Sequence, residues 1–315
     1  MSVAHHDDIV MEEGFDVIGD VHGESGKLTR LLTLLGYVDQ GDGYRHPQRR
    51  RRAIFVGDLI DRGKGQRETV AIVRSMVGKG DARVVMGNHE YNAIAYAMND
   101  PDAPGEYLRR HGTKNNGQHE EFIAAFGFGS GDHEDVIAWF RSMPLWLEID
   151  GLRVVHACWD QSAMDALDGN PYVDDALMVS SSVQGSKEQQ WVEHLCKGPE
   201  IPLPDGITFV DHGHHVRDRA RFRWWDPTAS TYARACEVPS DRRPLLDRPL
   251  EHPPVLPYDA RIPVVFGHYW RRWGEPAVSE YTACVDHSAA LGGPLTAYRW
   301  SGERTLTADR LIPAS

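Results

Sequence analysis

Five short apolar runs, each followed by a motif rich in glycine, aspartate, asparagine or histidine, constrain the fold most strongly. The runs cover residues 15–18, 54–56, 83–86, 154–155 and 264–266. Segments with helical spacing separate several of them, and we predict helices around 28–35, 69–73, 120–126 and 136–140. Short apolar runs that alternate with helices are typical of an α/β protein with parallel strands.

The motifs share a position, because each one begins where an apolar run ends. In chain order they are Gly19-Asp20-Val21-His22-Gly23, Gly57-Asp58-Leu59-Ile60-Asp61-Arg62-Gly63, Gly87-Asn88-His89-Glu90, His156 and Gly267-His268. In an open α/β sheet, ligands bind beyond the carboxyl ends of the strands. We therefore expect these side chains to converge on one site.

The residue types in these motifs indicate a metal centre. Asp, Asn and His without cysteine suit divalent metals such as Mn, Fe or Zn. One carboxylate shared between two ions holds them roughly 3.5–4 Å apart, the separation at which a metal pair clamps attacking and leaving oxygens. The pattern therefore favours a dinuclear site at the strand ends.

Taken together, the five motifs resemble the signature of the calcineurin-like metallophosphoesterase superfamily. More narrowly, they resemble the phosphoprotein-phosphatase branch, which includes bacterial protein phosphatases and symmetrical diadenosine tetraphosphate hydrolases. The matching motifs span residues 15–268, which is most of the chain. The resemblance implies a four-layer α-β-β-α sandwich with a dinuclear metal site at the carboxyl ends of the strands.

The resemblance also implies a role for each motif residue. Six residues would hold two divalent ions, with Mn expected and Fe or Zn as alternatives: Asp20, His22, Asp58, Asn88, His156 and His268. Asp58 would bridge the ions, and a metal-bound hydroxide would attack phosphorus without a covalent enzyme intermediate. His89 would protonate the leaving group while Asp61 orients it, and Arg62 would bind the phosphoryl oxygens. A planar guanidinium matches two phosphate oxygens, and histidine titrates in the range that a general acid needs.

Three of these assignments have rivals in the sequence. His214 also follows a strand-like run, 207–210, and is the reserve candidate for the role of His268. Asp61 and Arg62 would contribute only ~0–1 kcal/mol to folding if they formed a surface ion pair. The position of these two residues, three and four after Asp58, favours function instead.

We predict one metallophosphoesterase domain over residues 1–315, with a polar tail at 1–13 and a long insertion at 159–263. The formal net charge of −12 disfavours nucleic acid as a partner, because such binding depends on Lys and Arg. The basic run at 49–52 is interpreted as a solvated loop before a strand. Four scattered cysteines, a polar start and the lack of a long apolar stretch favour a cytoplasmic protein without membrane contact. The oligomeric state is left open.

The insertion and its border are the parts that depart from the family pattern. Cys158 stands where the family usually has glycine, and Trp159 is expected to cover one side of the pocket. A second phosphate-binding arginine is expected among four alternating residues of an edge strand or substrate-facing loop: Arg217, Arg219, Arg221 and Arg223. The paired Trp224 and Trp225 are interpreted as packing residues rather than as a platform for stacking bases.

The predicted function is hydrolysis of phosphate esters or anhydrides by a metal-dependent enzyme of the Ser/Thr protein phosphatase type. The alternative is a hydrolase of dinucleoside polyphosphates such as diadenosine tetraphosphate. The acidic balance disfavours a nucleic-acid phosphodiesterase. An inactive binding module should have lost ligands or the acid, yet Asp20, His22, Asp58, Asn88 and His89 are all present.

Overall fold

A computed structural model describes residues 14–204, 206–210, 215–251, 254, 258 and 260–315. The predicted tail at 1–13 and the reserve ligand His214 lie outside the described residues. The strands are β1 (Gly14–Ile18), β2 (Val38–Asp39), β3 (Tyr44–Arg45), β4 (Arg51–Phe55), β5 (Ala82–Val84), β6 (Trp146–Ile149), β7 (Leu152–Val155), β8 (Glu200–Pro202), β9 (Phe209–Val210), β10 (Val216–Arg217), β11 (Arg219–Phe222), β12 (Cys236–Glu237), β13 (Val264–Phe266), β14 (Thr282–Cys284), β15 (Leu295–Trp300) and β16 (Leu311–Ala314).

The helices alternate with the strands as far as β5, after which four helices lie between β5 and β6 and three between β7 and β8. They are α1 (Ser25–Leu34), α2 (Gln66–Gly78), α3 (Asn88–Ala97), α4 (Thr113–Gln118), α5 (Glu120–Phe126), α6 (Gly131–Phe140), α7 (Gln161–Ala166), α8 (Asp175–Ser182), α9 (Lys187–Lys197) and α10 (Tyr232–Ala235). Among the described residues, no helix is long and apolar enough to cross a membrane.

Two central sheets organise the molecule. The larger has the strand order β16-β15-β1-β4-β5, and the smaller has the order β14-β13-β7-β6. Strands β1, β4 and β5 run parallel to one another, as do β7, β13 and β14. The parallel strands of each sheet therefore bring their carboxyl ends to one edge, as the motif spacing predicts.

Side chains that alternate between the two faces of each strand produce the layers of the fold. Val17 and Ile54 of the larger sheet share a buried cluster with Val154 and Val265 of the smaller one, so the two sheets pack face to face. The neighbouring residues in these strands belong to a second buried cluster that includes residues of the flanking helices. Side chains of a strand alternate between its two faces, and strands covered on both faces become fully buried. The predicted four-layer α-β-β-α arrangement is confirmed.

Helix α3 was not predicted, although its first residues belong to a recognised motif. The helix begins at Asn88, directly after Gly87, and the side chain of Glu90 accepts a hydrogen bond from the Gly87 backbone N–H at 3.0 Å. A glutamate at the third helical position that bonds back to the N-cap residue stabilises a helix start. The motif therefore serves as a helix N-terminus as well as a source of ligands.

The segment 159–263 carries α7 to α10 and a small sheet of order β12-β11-β8. Arg219 and Arg221 lie on β11, the central strand of that sheet, so for these two the expectation of an edge strand or loop is wrong. Arg217 lies on β10 of a separate two-stranded sheet, and Arg223 follows the end of β11. Ala220 and Phe222 of this strand are buried. They alternate with the arginines, so one face of the strand is apolar and packs against the main hydrophobic cluster.

The basic run before β4 also differs from its prediction. Arg51 and Arg52 belong to the strand, and Arg51 forms an ion pair with the buried Asp16 at 3.1 Å. Asp16 also receives a hydrogen bond from Arg299 at 2.8 Å. The run is therefore partly a structural element, because the buried carboxylate of Asp16 needs cationic partners.

Candidate metal centre

All six predicted ligands lie together at the carboxyl ends of the strands. Asp20 and His22 follow β1, Asp58 follows β4, Asn88 opens α3 after β5, His156 follows β7 and His268 follows β13. None of these side chains belongs to a residue more than 8% exposed. Both sheets therefore contribute to one buried polar cluster.

Asp58 occupies the centre of this cluster. Its Oδ2 lies 3.4 Å from His156 Nε2, 3.6 Å from His22 Nε2 and 3.8 Å from His89 Nε2. Its Oδ1 accepts a hydrogen bond from the backbone N–H of His89 at 2.9 Å. Two groups of potential ligand atoms meet at Asp58, each within 4.8 Å: one with His22 and His89, the other with His156 and His268.

The backbone that presents these groups is strained. His22, Asp58 and His268 have φ values of 47°, 51° and 70°, and Asp61 and Arg62 follow at 68° and 69°. Non-glycine residues in such regions cost about 1–3 kcal/mol each and cluster at functional sites. Close backbone contact requires the glycines: a Cβ on Gly57 would lie 2.3 Å from the backbone nitrogen of Gly87. The close packing of the backbone at the strand ends therefore directs these side chains into the buried cluster.

The histidines fit the role of metal ligands. His22 Nδ1 bonds the carbonyl of Ile60 at 2.9 Å, while His22 Nε2 and both ring nitrogens of His268 have no hydrogen-bond partner within the described chain. Burial, assisted by Arg62, lowers the pKa of His22 well below its usual value, and burial with Arg221 does the same for His268. Neutral imidazole is the form that binds metals, with the second ring nitrogen held by a carbonyl.

His156 lies in contact with a backbone carbonyl and with the central carboxylate of Asp58. Its Nδ1 bonds the carbonyl of Val56 at 2.7 Å, and its Nε2 lies 3.2 Å from Asn88 Oδ1. Burial would lower the pKa of His156, but the Asp58 carboxylate raises it to about 10. The same buried Asp58 has its pKa pushed upward by burial and well below its usual value by His156 and His89. The Asp58 carboxylate therefore stabilises positive charge at this position, which is the environment that a cation needs.

Asp20 lies slightly apart from these two groups. Its carboxylate accepts the backbone N–H of His268 at 3.2–3.3 Å. Burial and then Asp286 raise the pKa of Asp20 well above its usual value. Asp286 is buried and accepts the backbone N–H of Trp270 at 2.8 Å. Three neighbouring buried carboxylates, those of Asp20, Asp58 and Asp286, form an acidic environment that divalent ions would neutralise.

Asp61 and His89 form a buried pair next to this cluster. His89 Nδ1 lies 2.5 Å from Asp61 Oδ2, and His119 Nδ1 lies 2.8 Å from Asp61 Oδ1. Burial would raise the pKa of Asp61, but the hydrogen bonds from His119 and His89 lower it to about 2. Asp61 is 2% exposed, so a surface ion pair with Arg62 does not occur. The sequence predicted the pairing with His89 and missed His119.

Two guanidinium groups lie over the indole of Trp270. The Cζ atoms of Arg62 and Arg221 are 4.6 and 5.2 Å from the ring centroid. Arg221 donates a hydrogen bond to the His268 carbonyl at 3.0 Å, whereas Arg217 pairs with Glu200 and Arg223 with Glu237. The structure therefore brings Arg221, rather than the other three arginines, into contact with a predicted metal ligand, His268.

A cavity of about 880 Å³ opens over these groups. Nine of its lining residues are Arg or Lys and six are Asp or Glu, although the whole chain has an excess of acids. Trp159 is not among the lining residues that the structure describes; it is buried, and Arg153 stacks on it at 4.7 Å. The predicted cover by Trp159 is thus wrong. The prediction that Trp224 and Trp225 pack is confirmed, because both rings contact Phe266.

Comparison with known proteins places this geometry in context. The model of the calcineurin-like phosphoesterase family matches residues 15–268. A symmetrical bis(5'-nucleosyl)-tetraphosphatase from Marinomonas sp. is 27% identical over 90% of this chain and 92% of its own length. One from Vibrio parahaemolyticus is 27% identical over 94% and 98%.

Two further similarities are more limited, the first in the length of the match and the second in sequence identity. An asymmetrical bis(5'-nucleosyl)-tetraphosphatase from Halalkalibacterium halodurans is 48% identical, but the match spans only 24% of this chain and 30% of that protein. The solved structure of a serine/threonine phosphatase from Saccharomyces cerevisiae has a TM-score of 0.50 and 16% identity, over 98% of this chain and 80% of its own. That likeness shows a shared fold alone.

Proposed function

Because the chain belongs to the calcineurin-like phosphoesterase family and is a phosphoesterase, we propose that it hydrolyses dinucleoside polyphosphates such as diadenosine tetraphosphate. The full-length relatives named as symmetrical bis(5'-nucleosyl)-tetraphosphatases support this substrate class over the Ser/Thr-type protein phosphatase. The sequence predicted a Ser/Thr-type protein phosphatase first and a dinucleoside polyphosphate hydrolase as the alternative. The named relatives support the alternative better.

The basic cavity is the observation that carries the proposal. A phosphate monoester needs few cationic partners, whereas a tetraphosphate chain presents several charged groups in a row. Arg62 and Arg221 lie side by side over Trp270, and Arg109, Lys114 and Arg243 line the same cavity. Guanidinium groups bind phosphate oxygens bidentately. The cavity thus offers a cationic path beside the cluster in an otherwise acidic protein.

Two divalent ions are part of the proposed enzyme, and we expect Mn, with Fe or Zn as alternatives. Asp20, His22 and Asp58 would hold one ion, and Asp58 would be shared with a second held by Asn88, His156 and His268. The ions supply polarisation of the phosphoryl oxygens and activation of water. The unpartnered imidazole nitrogens and the clustered buried carboxylates fit this role.

The protein's own groups position the phosphate chain and move a proton. Arg62 and Arg221 bind phosphoryl oxygens, and their contact with Trp270 limits the movement of both guanidinium groups. His89 has its Nδ1 engaged by Asp61, so Nε2 is the atom that delivers a proton to the departing oxygen. Water adds to phosphorus and releases one proton to the solvent, the bridging P–O bond breaks, and the departing phosphate oxygen takes up the proton from His89, which is then reprotonated from the solvent.

A Ser/Thr-type protein phosphatase remains the second candidate. The arrangement of Asp61, Arg62 and His89 is the feature on which the sequence prediction rested, and the fold shared with the yeast phosphatase is compatible with it. Both candidates use the same ligands, so the substrate that the cavity admits distinguishes them.

The test uses metal-stripped protein reloaded with Mn, Fe or Zn and three substrates: diadenosine tetraphosphate, a phosphopeptide and an aryl phosphodiester. We expect the highest kcat/KM on the dinucleotide. Two molecules of ADP would identify cleavage at the centre, and ATP with AMP would identify asymmetric cleavage. Turnover of the phosphopeptide alone would replace the proposal with the protein-phosphatase function.

We also propose that the protein acts in the cytoplasm as a nucleotide hydrolase without nucleic-acid or membrane partners. The four cysteines are free and buried, which suits a reducing compartment. Fractionation of the source cells, with detection by antibody, tests this location.

A further inference from the structure

His119 is a buried histidine that the functions discussed above do not use. It lies between α4 and α5, is 4% exposed, and its ring stacks on Phe122 at 4.7 Å and meets the edge of Tyr96 at 5.1 Å. Its Nδ1 lies 2.8 Å from Asp61 Oδ1, while its Nε2 has no hydrogen-bond partner within the described residues. A polar side chain among aromatic rings, with one ring nitrogen directed at the catalytic pair, needs an explanation.

Asp61 is the residue that connects His119 to the proposed chemistry. One of its oxygens meets His119 and the other meets His89, each through an imidazole Nδ1. The backbone of Asp61 has a φ of 68°, so the main chain there is itself in a sparsely populated region. A carboxylate held only at Oδ2 could rotate about its Cβ–Cγ bond. The second donor at Oδ1 fixes the plane of the group.

We infer that His119 is a positioning residue, which holds the Asp61 carboxylate so that Oδ2 stays directed at His89 Nδ1. The inference rests on the role of His89 as proton donor in the proposed function. Since Nδ1 of His89 is engaged by Asp61, the orientation of the His89 ring and the reach of its Nε2 follow from the orientation of Asp61. His119 would therefore influence proton delivery without touching the substrate.

The chain offers well-matched variants for a test. In His119→Phe, a ring still packs between Tyr96 and Phe122, but the donor to Asp61 is lost. In His119→Asn, the side-chain amide N–H can take the place of Nδ1–H. His133 provides the control because it is also buried and also near Phe122, at 5.8 Å, yet it does not bond Asp61. His133→Phe therefore reports the cost of changing this aromatic cluster alone.

The experiment measures kcat and KM on phenyl phosphate and on 4-nitrophenyl phosphate, which differ in how strongly the leaving group needs a proton. We expect His119→Phe to lower kcat on phenyl phosphate ~10-fold and on 4-nitrophenyl phosphate less than ~3-fold, with little change in KM. These values are a fraction of the ~10²–10⁴-fold contribution of a general acid. His119→Asn should restore the ratio of the two kcat values, and His133→Phe should leave that ratio unchanged.

Equal losses on both esters, or no recovery in His119→Asn, would overturn the inference. A crystal structure of His119→Phe gives a second measurement that does not depend on turnover: we expect the Asp61 carboxylate to be rotated away from His89, and an unchanged carboxylate would overturn the inference. The outcome is separable from the proposed function. Wild-type protein that cleaves the aryl esters but not diadenosine tetraphosphate would refute the substrate and leave the role of His119 open to the same test.

Discussion

The strand ends of the central sheets and the segment 159–263 contribute to one cavity by different means. At the strand ends, Asp58 and His268 are buried and lie on strained backbone. In the segment, Arg221 lies on a short sheet, and the nearby Arg217 and Arg223 pair with Glu200 and Glu237. The first region concentrates negative charge and the second brings positive charge over it.

We interpret this difference as a division of labour, in which the strand ends carry out the chemistry and the segment 159–263 binds the substrate. Parallel strands converge at their carboxyl ends, so the ligands of the first region owe their positions to the fold itself. The segment lies between β7 and β13, so its residues do not owe their positions to the convergence of parallel strands. We therefore expect changes at the strand ends to alter turnover, and changes in the segment to alter substrate binding.

Asp58→Asn is the strongest test of the first half of this comparison. Loss of the central carboxylate should reduce activity ~10³-fold or more, beyond the ~10²–10³-fold loss typical of removing one electrostatic donor, and should lower the bound metal. Activity assays and metal analysis by mass spectrometry measure the two effects. Asp81→Asn is the control, because Asp81 pairs with Arg45 at 3.0 Å, away from the cluster. Normal turnover with full metal content in Asp58→Asn would refute the bridging role.

His89→Ala should lower turnover ~10²–10⁴-fold while metal content stays close to that of the wild type. The loss should be smaller for esters with good leaving groups, because these need no proton. A series of aryl phosphates with leaving groups of different acidity measures this dependence. A loss of the same size across the whole series would exclude His89 as the proton donor.

The two regions should also differ in their response to acid. Burial lowers the pKa of His287, near the end of the smaller sheet, to about 4. Unfolded chains take up this proton near pH 6.5 while the folded protein does not, so acid favours unfolding. The free energy of unfolding should fall as the pH drops from 6.5 to 4, by roughly 3 kcal/mol from this group, and then level off.

Urea titrations of wild type and His287→Asn across this pH range measure the effect, which should be reduced in the variant. His194→Asn is the matched control in the segment, since His194 is about a third exposed and paired with Asp160 at 2.7 Å. An equal flattening of the pH profile in both variants would contradict the assignment to His287.

Arg221→Lys should have the smallest effect of these substitutions, and it tests the contribution of the segment most specifically. The charge remains but the bidentate geometry is lost, so KM for diadenosine tetraphosphate should rise ~10-fold, with a smaller change in kcat. Arg223→Lys serves as the control, because Arg223 is engaged by Glu237 and should leave KM within about twofold of the wild-type value. If kcat falls instead of KM rising, the division between chemistry and recognition fails.

The sequence alone determined the architecture and which polar residues lie together at the strand ends. Short apolar runs define strands locally, and parallel connectivity then brings Asp20, Asp58 and His156 to the same edge, so position in the sequence was sufficient. The strand at 264–266 was predicted with its observed boundaries. Helix α3 was missed because its first turn consists of motif residues, and the strand β15 was missed although its apolar residues alternate.

Only the tertiary structure decided the partners that come from distant segments. Arg221 could not be distinguished from Arg217, Arg219 and Arg223, because all four alternate with the same period. Arg217 and Arg223 pair with the carboxylates of Glu200 and Glu237, and Arg219 donates to the backbone carbonyl of Glu200, so the partners come from other strands. His119 precedes an ordinary helix, and its proposed role depends on a contact with Asp61, which is 58 residues away in the sequence. Local patterns carry no information about such contacts, because the free energy that fixes them arises from packing between elements rather than within them.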